Sequence, residues 1–443
     1  MYLLYSVVIV AFFAVMSPSL LYQAVRYRKY IGSLSQRLGY LPISFNLDAG
    51  ESIWIHAVSV GEVLTARALL PELRERYPRL RLFLSTTTMT GQQIAHNNLQ
   101  YVDEVFYFPF DLSFIVDRTL ALVKPRLFIM METEIWPNLL RACHRADVKT
   151  MLVNGRISSR SYPRYRLARP FFRRVLSHID RFCMQSDESA RRVVDIGADR
   201  DRVTVTGSLK FDSLEIPGSS PGDRGSNRVL RYFRISPDRP VLIAASTLKG
   251  EEDAILEAFQ RIRATMTNAL LIIAPRKPQR FDDVERLARR AGWNVARRTE
   301  LRVDAEPRHD VVVLDTIGEL AQLYQVATAV FVGGSLVDTG GHNILEPAVF
   351  GKPIVFGPYM HNFAEIARTF LDNDAAIQVR SGRELDSVLL ELLGDPVRRA
   401  RLGAAARALV EANRGARMKT LSAIAQLLPP DDPANVVRPF RRV

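Results

Sequence analysis

Short apolar runs alternate with helix-like segments along most of this chain, and this alternation limits the possible folds more than any other feature of the sequence. The runs are rich in Val, Ile, Leu and Phe and read as buried strands. Between them the apolar residues recur with helical spacing, as in "GEVLTARALLPELRERYP" and "DESARRVVDIGA". Strands that alternate with helices predict parallel sheets built from βαβ units.

The strand candidates form two series that are separated by a linker. The first series comprises segments 52–58, 80–87, 104–110, 127–131, 150–155, 181–186 and 202–208, and the second comprises 240–247, 268–275, 311–315, 329–335 and 352–358. Between them lies "LEIPGSSPGDRGSN", whose Gly, Pro and Ser content is typical of an exposed linker. We therefore predict an α/β protein with two doubly wound, Rossmann-like domains that face a cleft, where ligands bind at the carboxyl ends of the strands.

This pattern also gives expected domain boundaries. A last helical stretch runs from about 384 to 428, and the sequence after it, "PPDDPANVVRPFRRV", looks loose. The predicted parts are an N-terminal membrane anchor (1–25), a first domain (26–213), a linker (214–238), a second domain (239–428) and a C-terminal tail (429–443).

The N-terminal segment predicts attachment to a membrane. Its first 25 residues carry no charge and "RYRKY" follows, whereas the whole chain has a net charge of +13. About 20 apolar residues cross a bilayer core. The run has no basic residue before it and no small-x-small cleavage site after it, so we do not expect a cleaved signal peptide. An uncleaved anchor, spanning the bilayer or lying in one leaflet, fits better than a soluble core helix. We expect anionic lipid, not nucleic acid, as the partner of the basic side chains, with Arg26, Arg28, Lys29 and Arg37 against the headgroups.

The two cysteines, Cys143 and Cys183, indicate a reducing compartment. They lie far apart in the sequence and lack CxxC spacing. We therefore expect buried free thiols and no structural disulfide.

Polar residues at strand ends of the first domain predict acid–base chemistry. "HAVSVGEV" places Glu62 at a predicted strand-to-helix turn, and "METEIWPN" places Glu132 and Glu134 after another strand. A lone glutamate at a helix start often just favours the helix dipole. At a strand end that faces a ligand cleft it can also act as a general base, and paired carboxylates can separate in pKa. Candidates to contact a phosphorylated ligand in this domain are Ser59, Thr87, Thr88, Glu134, Arg156 and Lys210.

Other catalytic signatures are weak or missing. "AVSVG" nearly matches the G-x-S-x-G nucleophile elbow of hydrolases, but Ala57 stands at its first position and no acid or histidine can be placed as a partner. The sequence contains no G-x-G-x-x-G, no G-x-x-x-x-G-K-[ST] and no H-E-x-x-H. We therefore expect no metal site.

The second domain carries the pattern of a nucleotide pocket. In "GGSLVDTGGHNILEPAVFGKPIVFGP" the paired glycines permit close backbone approach to a ligand. Asn343 and Glu346 have the spacing of a helix N-cap with a reciprocal glutamate, on a short helix from about 343 to 350, but such a carboxylate could also bind ribose hydroxyls. "APRKPQRF" and "DTIGELAQLY" add polar groups at two more strand ends. The nucleotide-site candidates are Pro275, Arg276, Gly318, Glu319, Gly334, Asn343 and Glu346.

Taken together, these motifs resemble those of the 3-deoxy-D-manno-octulosonic acid (Kdo) transferase family. "RLGYLP", "HAVSVGE", "STTTMTG", "METEIWPN", "GSLKFD", "APRKPQRF", "DTIGEL" and "GGHNILEPAVFGKPIVFGP" follow one another in the family's order. The resemblance implies a GT-B glycosyltransferase held on the cytoplasmic side of the inner membrane by a single N-terminal anchor. It implies CMP-Kdo as donor, the tetraacyl disaccharide bisphosphate lipid IVA as acceptor, inversion at the anomeric centre, no cofactor and no catalytic metal.

The resemblance also assigns roles to residues. Glu62 matches the family's general base, and Glu132 matches another functionally important carboxylate. The nucleotide-site candidates named above, apart from Gly334, match positions that line the CMP pocket. This chain departs from the family at Lys277, where histidine is common, and in "NGRIS", where "NARLS" is commoner.

Two other functions remain open at this point. One is a membrane-anchored nucleotide or phospholipid binder of the same fold without catalysis. The other is a nucleotide-sugar epimerase on the same two-domain plan, which would need no lipid acceptor, so the apolar N-terminus counts against it.

Overall fold

The chain folds into two compact units. The computed structural model describes residues 2–11, 15, 31–46, 48–96, 100–212 and 229–430. The first unit comprises Met1–Ser213 together with Arg414–Val443, and the second comprises Leu214–Asn413.

The first unit is a doubly wound parallel sheet. Its strands are β1 (Ser52–His56), β2 (Arg81–Thr86), β3 (Glu104–Tyr107), β4 (Pro125–Met131), β5 (Lys149–Gly155), β6 (Arg181–Met184) and β7 (Val203–Val205), and they lie in the order β3-β2-β1-β4-β5-β6-β7. Its α-helices are residues 2–11, Ile31–Arg37, Val60–Ala66, Leu70–Arg76, Met89–His96, Ser113–Val123, Pro137–Arg145, Tyr162–Leu167, Arg169–Leu176, Asp187–Asp195 and Ala416–Leu427, with 3-10 turns at Ile43–Asn46 and Arg200–Arg202.

The strands of this sheet are apolar because both faces are covered. Ile53 and Ile55 pack into one hydrophobic cluster, while Trp54 between them packs into a second cluster. This is the two-residue alternation that a strand imposes on its side chains. Cys143 and Cys183 are buried and free, as predicted.

The last helix departs from the predicted domain boundary. Ala416–Leu427 belongs to the first unit, where Leu421 and Ile424 join one of its core clusters. Asp212 accepts hydrogen bonds from the backbone N–H groups of Gly415 (2.9 Å) and Arg417 (2.8 Å), which satisfies donors at the start of the helix. The second unit therefore ends at Asn413, not at residue 428.

The second unit is also a parallel sheet of seven strands. These are β8 (Val241–Thr247), β9 (Leu270–Pro275), β10 (Val295–Arg297), β11 (Val311–Val313), β12 (Ala329–Val332), β13 (Ile354–Phe356) and β14 (Ile377–Gln378), in the order β10-β11-β9-β8-β12-β13-β14. Its α-helices are Glu252–Thr265, Phe281–Arg290, Leu320–Leu323, Leu345–Val349, Ala364–Asp372, Gly382–Gly394 and Pro396–Ala412, with 3-10 turns at Pro278–Arg280, Arg298–Glu300, Tyr324–Val326 and His361–Phe363.

All twelve predicted strand segments contain a strand, and the structure adds two more. The additions, Val295–Arg297 and Ile377–Gln378, lie at the two edges of the second sheet. Neither lies in a longer apolar run of the kind by which the other strands were recognised, since Asn294 and Arg298 flank the first and Gln378 ends the second.

The described part of the predicted linker, 229–238, belongs to the second unit. Residues 213–228 lie outside the described residues, and so do residues 431–443 of the predicted tail. Within 229–238, Val229 and Phe233 are buried. Arg231 and Arg234 both form ion pairs with Asp304.

Most of the predicted anchor, 1–25, lies outside the described residues, and so do Arg26, Arg28 and Lys29. In the part of the chain that the structure describes, no helix has the length and apolarity needed to cross a bilayer. The prediction that Arg37 lies against lipid headgroups is wrong. Arg37 is buried, donates to the carbonyl oxygen of Thr87 (2.5 Å) and lies 4.8 Å from the ring centre of Tyr107.

Candidate active site

In each sheet the strand order reverses direction at one pair of neighbouring strands. In the first sheet this switch point lies between β1 and β4, and in the second between β8 and β12. The chain leaves two such strands toward opposite sides, which opens a crevice at their carboxyl ends where α/β proteins bind ligands. The segments that follow β1 and β4 carry Glu62 and the pair Glu132 and Glu134.

Glu62 is held at the first switch point by two hydrogen bonds. It lies in the first turn of helix Val60–Ala66, where its carboxylate accepts from the Val58 N–H (2.9 Å) and the Ser59 hydroxyl (3.0 Å). Burial, and then the charge of Glu132, raise the pKa of Glu62 to about 7 in spite of these two bonds. Near neutral pH this carboxyl group can therefore both take up and release a proton.

Glu132 pairs with Lys210 across the same edge of the sheet. Its carboxylate lies 3.4 Å from the Lys210 ammonium group. Its backbone has φ +53°, in the left-handed region that non-glycine residues seldom occupy. Such strain is concentrated at functional sites, where neighbouring structure enforces it.

Glu134 brings a third carboxyl group to this edge. Burial, and then the charge of Glu62, raise the pKa of Glu134 to about 8, and Glu132 adds to the effect. The positive charge of Lys210 acts in the opposite direction and lowers the pKa of Glu62. The structure thus brings together Glu62, Glu132, Glu134 and Lys210, which the sequence placed on separate segments.

The hydroxyl candidates join this cluster partly through the backbone. The Thr87 N–H and the Thr88 N–H both reach the carbonyl oxygen of Val58, at 3.3 and 3.2 Å, and the Thr88 hydroxyl donates to the same oxygen. Ser59 is committed to Glu62, whereas the buried hydroxyl of Thr87 has no hydrogen-bond partner within the described residues. Arg156 adjoins Glu132 through its backbone N–H, which donates to the Glu132 carbonyl oxygen (3.3 Å).

The crevice of the second unit contains a residue that the sequence analysis missed. Glu251 is fully buried, and its carboxylate accepts four backbone hydrogen bonds, from Leu248 (2.9 Å), Gly334 (2.7 Å), Ser335 (3.0 Å) and Leu336 (2.9 Å). Successive backbone N–H groups of this kind commonly bind anions. Here Glu251 occupies them, so Gly334, a nucleotide-site candidate, offers its N–H to this carboxylate.

Two glycines permit this arrangement. A Cβ on Gly333 would lie 2.7 Å from the carbonyl oxygen of Ser246, and Gly334 has φ +68°. The ring of His342 packs directly over Gly334, with its Nδ1 2.7 Å from the carbonyl oxygen of Gly333. The Gly334–Leu336 turn and His342 are therefore fixed together.

Asn343 and Glu346 bind each other instead of capping a helix reciprocally. The Asn343 amide donates to the Glu346 carboxylate (3.2 Å), and its oxygen accepts from the Leu345 N–H (3.1 Å). The helix that follows is Leu345–Val349, shorter than the predicted 343–350. Burial raises the pKa of Glu346, while the Asn343 amide and the charge of Arg276 oppose the shift. Arg276 is exposed and follows buried Pro275, the last residue of β9. Since its charge acts on Glu346, it lies within electrostatic reach of this pair.

Glu319 is already engaged within the protein. Its carboxylate forms an ion pair with Arg298 (2.8 Å) and accepts from the Thr316 hydroxyl (2.7 Å). Arg298 in turn lies 3.6 Å from the ring centre of Tyr232. Gly318 precedes it with φ +89° and open space where a Cβ would be. The structure thus gives Glu319 a role in shaping this turn.

The fold resembles that of known nucleotide-sugar proteins. The UDP-GlcNAc 2-epimerase from Neisseria meningitidis superimposes over 85% of this chain and 99% of its own, with a TM-score of 0.55 and 10% sequence identity. At this identity the likeness shows the fold alone. The two parallel α/β units thus resemble the GT-B glycosyltransferase class.

Sequence comparison identifies the family within this class. Residues 32–213 match the family model described as 3-deoxy-D-manno-octulosonic-acid transferase (kdotransferase). The 3-deoxy-D-manno-octulosonic acid transferase of Haemophilus influenzae is 34% identical over 90% of this chain and 92% of its own length. That of Bordetella pertussis is 35% identical over 84% of this chain and 86% of its own. The chain belongs to the Kdo transferase family.

Proposed function

We propose that this protein transfers Kdo from CMP-Kdo to the lipid A precursor lipid IVA, with inversion of the anomeric centre, in lipopolysaccharide biosynthesis. Membership of the family supports the transfer of Kdo. The donor, the acceptor and the role of Glu62 as general base are our proposal.

The observation that carries this proposal is the state of Glu62. A base that deprotonates a sugar hydroxyl works best when its pKa lies near the operating pH. Glu62 has a pKa of about 7 and lies at the switch point beside Glu132 and Lys210. A carboxylate that only favoured a helix dipole would not need such burial.

The proposed reaction is a direct displacement. Glu62 takes the proton of the acceptor hydroxyl while the hydroxyl oxygen attacks the anomeric carbon of Kdo, and the bond from this carbon to the CMP phosphate breaks. Lys210 offsets negative charge next to Glu132, and Ser59, Thr87, Thr88, Glu134 and Arg156 are the other proposed acceptor contacts. Arg276 and the pair Asn343 and Glu346 are proposed to bind CMP, with the arginine offsetting the charge on its phosphate.

Mass spectrometry tests the activity directly. Purified protein is incubated with lipid IVA, CTP, Kdo and a CMP-Kdo synthetase, and the mass of the lipid product is then measured. An increase in mass by whole Kdo units supports the proposal, and its size gives the number of Kdo residues added. If no mass is gained while CMP binds in a separate titration, the protein is a nucleotide binder and not a transferase for this acceptor.

The proposed donor site makes Arg276 the cation for the CMP phosphate. We expect Arg276→Met to weaken CMP binding by roughly tenfold to a hundredfold, because a hydrogen bond to a charged group contributes about 1.5–3 kcal/mol. Titration calorimetry with CMP measures this change. The matched control is Arg290→Met, which removes another exposed arginine of the same unit. Equal CMP affinity for both variants and the wild type would remove Arg276 from the site.

We also propose that the protein acts at the cytoplasmic face of the inner membrane, held by its N-terminal segment and by anionic lipid. In helix 2–11, Leu3 and Leu4 are 79% and 67% exposed, whereas Tyr5 turns inward and donates to Asp111 (2.9 Å). The apolar side of this helix thus faces outward, as in helices that lie in a bilayer interface.

Vesicle co-sedimentation of the full chain tests this attachment. We expect binding to phosphatidylglycerol vesicles, and loss of most of that binding when Leu4 and Val8 on the outward side are both changed to Asp. Val397→Asp, at a position 78% exposed in the second unit, is the control. Retention of the double variant on vesicles would contradict attachment through this helix.

A further inference from the structure

A buried histidine points at Glu134. His56 is the last residue of β1, is fully buried and stacks on Phe108 with 3.7 Å between ring centres. Its Nδ1 lies 3.2 Å from the carbonyl oxygen of Ser85 and 3.0 Å from the Ser85 hydroxyl. Its Nε2 lies 3.8 Å from the Glu134 carboxyl group and has no hydrogen-bond partner within the described residues.

These contacts fix where the hydrogen of the imidazole lies. A carbonyl oxygen can only accept, so we assign the hydrogen to Nδ1, which donates it to Ser85. The Ser85 hydroxyl oxygen already accepts from the Trp54 indole (2.8 Å). Nε2 is then a buried acceptor that lacks a donor, and a buried polar atom without a partner is costly.

Glu134 can supply the missing hydrogen. Glu132 has Lys210 as an ion-pair partner, and Glu62 accepts from the Val58 N–H and the Ser59 hydroxyl. Both arrangements favour the charged form of a carboxyl group. For Glu134 the corresponding group is the Trp136 indole, whose effect is smaller than those of burial and of the Glu62 charge, both of which favour the protonated form. When like charges share a site, the carboxyl group with the least support is the one that keeps its proton.

We propose that Glu134 is a positioning residue that holds a proton in the resting protein and shares it with Nε2 of His56, which leaves Glu62 free to act as the base. The groups that face Glu134 are His56 from β1, Glu62 from helix Val60–Ala66, Glu132 and Trp136 from its own loop and Tyr165 from helix Tyr162–Leu167. When Glu134 is neutral, Glu132 is the only one of these two carboxyl groups that places a negative charge beside Glu62. This inference rests on the proposed role of Glu62.

The electrostatics of the two groups agree with this geometry. Burial and then Glu62 raise the pKa of Glu134 to about 8, and burial lowers the pKa of His56 to about 3. The neutral acid beside the neutral imidazole is therefore favoured over a buried ion pair at pH 7.

Replacement of Glu134 by glutamine tests the proton directly. Glutamine is neutral and can donate its amide hydrogen to Nε2, so Glu134→Gln keeps the proposed charge state beside Glu62. The pH at which activity falls on the acid side should not move. An acid limb displaced to lower pH, because a negative charge beside Glu62 has been removed, would overturn the proposal.

Infrared spectroscopy provides a measurement that needs no substrate. At pH 7 the wild type should show the C=O band of a protonated carboxyl group that is absent from Glu134→Gln and retained in Glu75→Gln, which changes an exposed glutamate. If this band is absent from the folded wild type, Glu134 carries no proton and the proposal fails. If the band is present but no Kdo is transferred, the proposed function fails while the protonation of Glu134 stands.

Discussion

Replacement of Glu62 by glutamine should reduce Kdo transfer by roughly a hundredfold to ten-thousandfold, the range that general acid–base catalysis contributes. Glutamine has nearly the same shape and can still accept from the Val58 N–H and the Ser59 hydroxyl, but it cannot take up a proton. The turn at the switch point should therefore keep its structure while the acceptor hydroxyl loses its base. The measurement is the initial rate of Kdo addition to lipid IVA.

The pH profile provides a second readout of the same group. A base acts in its deprotonated form, so the rate of the wild type should rise with pH through the pKa of Glu62, about 7, and then level off. The residual rate of Glu62→Gln should lack this rise. Glu75→Gln, in helix Leu70–Arg76, is the matched control and should keep both the rate and the profile. If Glu62→Gln keeps the wild-type rate while still binding CMP, Glu62 is not the base.

Much of the fold could be predicted because the strands are covered on both faces. A strand such as Ile53, Trp54 and Ile55 has no polar side, and its continuous apolar run stands out from the helices around it. The return of Ala416–Leu427 to the first unit could not be predicted in this way. Its apolar residues show that it packs somewhere, but the contacts that decide where, such as Asp212 with Gly415, join residues that are far apart in sequence.

The candidate site shows the same limit. Glu62 was recognisable because its position after a strand and its local partners, Val58 and Ser59, all lie within one short motif. Glu251 stands in "KGEE" at the start of a helix, where a carboxylate usually just favours the dipole. Its actual partners, Gly334 to Leu336, are more than eighty positions away and are brought to it only because β8 pairs with β12. Arg37 was misjudged for the same reason, since its partner Thr87 is distant in sequence.

Replacement of Glu251 by glutamine should loosen the crevice of the second unit. The glutamate accepts two backbone N–H groups on each oxygen, and glutamine would turn an NH2 group toward two of these donors. Each buried donor left without a partner costs about 1–3 kcal/mol, so we expect the free energy of unfolding to fall by about 2–6 kcal/mol. Because the Gly334–Leu336 turn and His342 are fixed together, we also expect CMP to bind on the order of tenfold more weakly, given how much a misplaced polar contact costs.

Two measurements separate the effect on folding from the effect on the site. Thermal unfolding gives the loss of stability, and CMP titration well below the unfolding midpoint gives the affinity of the folded variant. Glu257→Gln, at an exposed position of helix Glu252–Thr265, is the control and should change neither. If Glu251→Gln is as stable as the control, the four backbone hydrogen bonds do not hold the turn in the way the geometry indicates. If it is destabilised but binds CMP normally, the carboxylate supports the fold of the second unit without positioning the nucleotide.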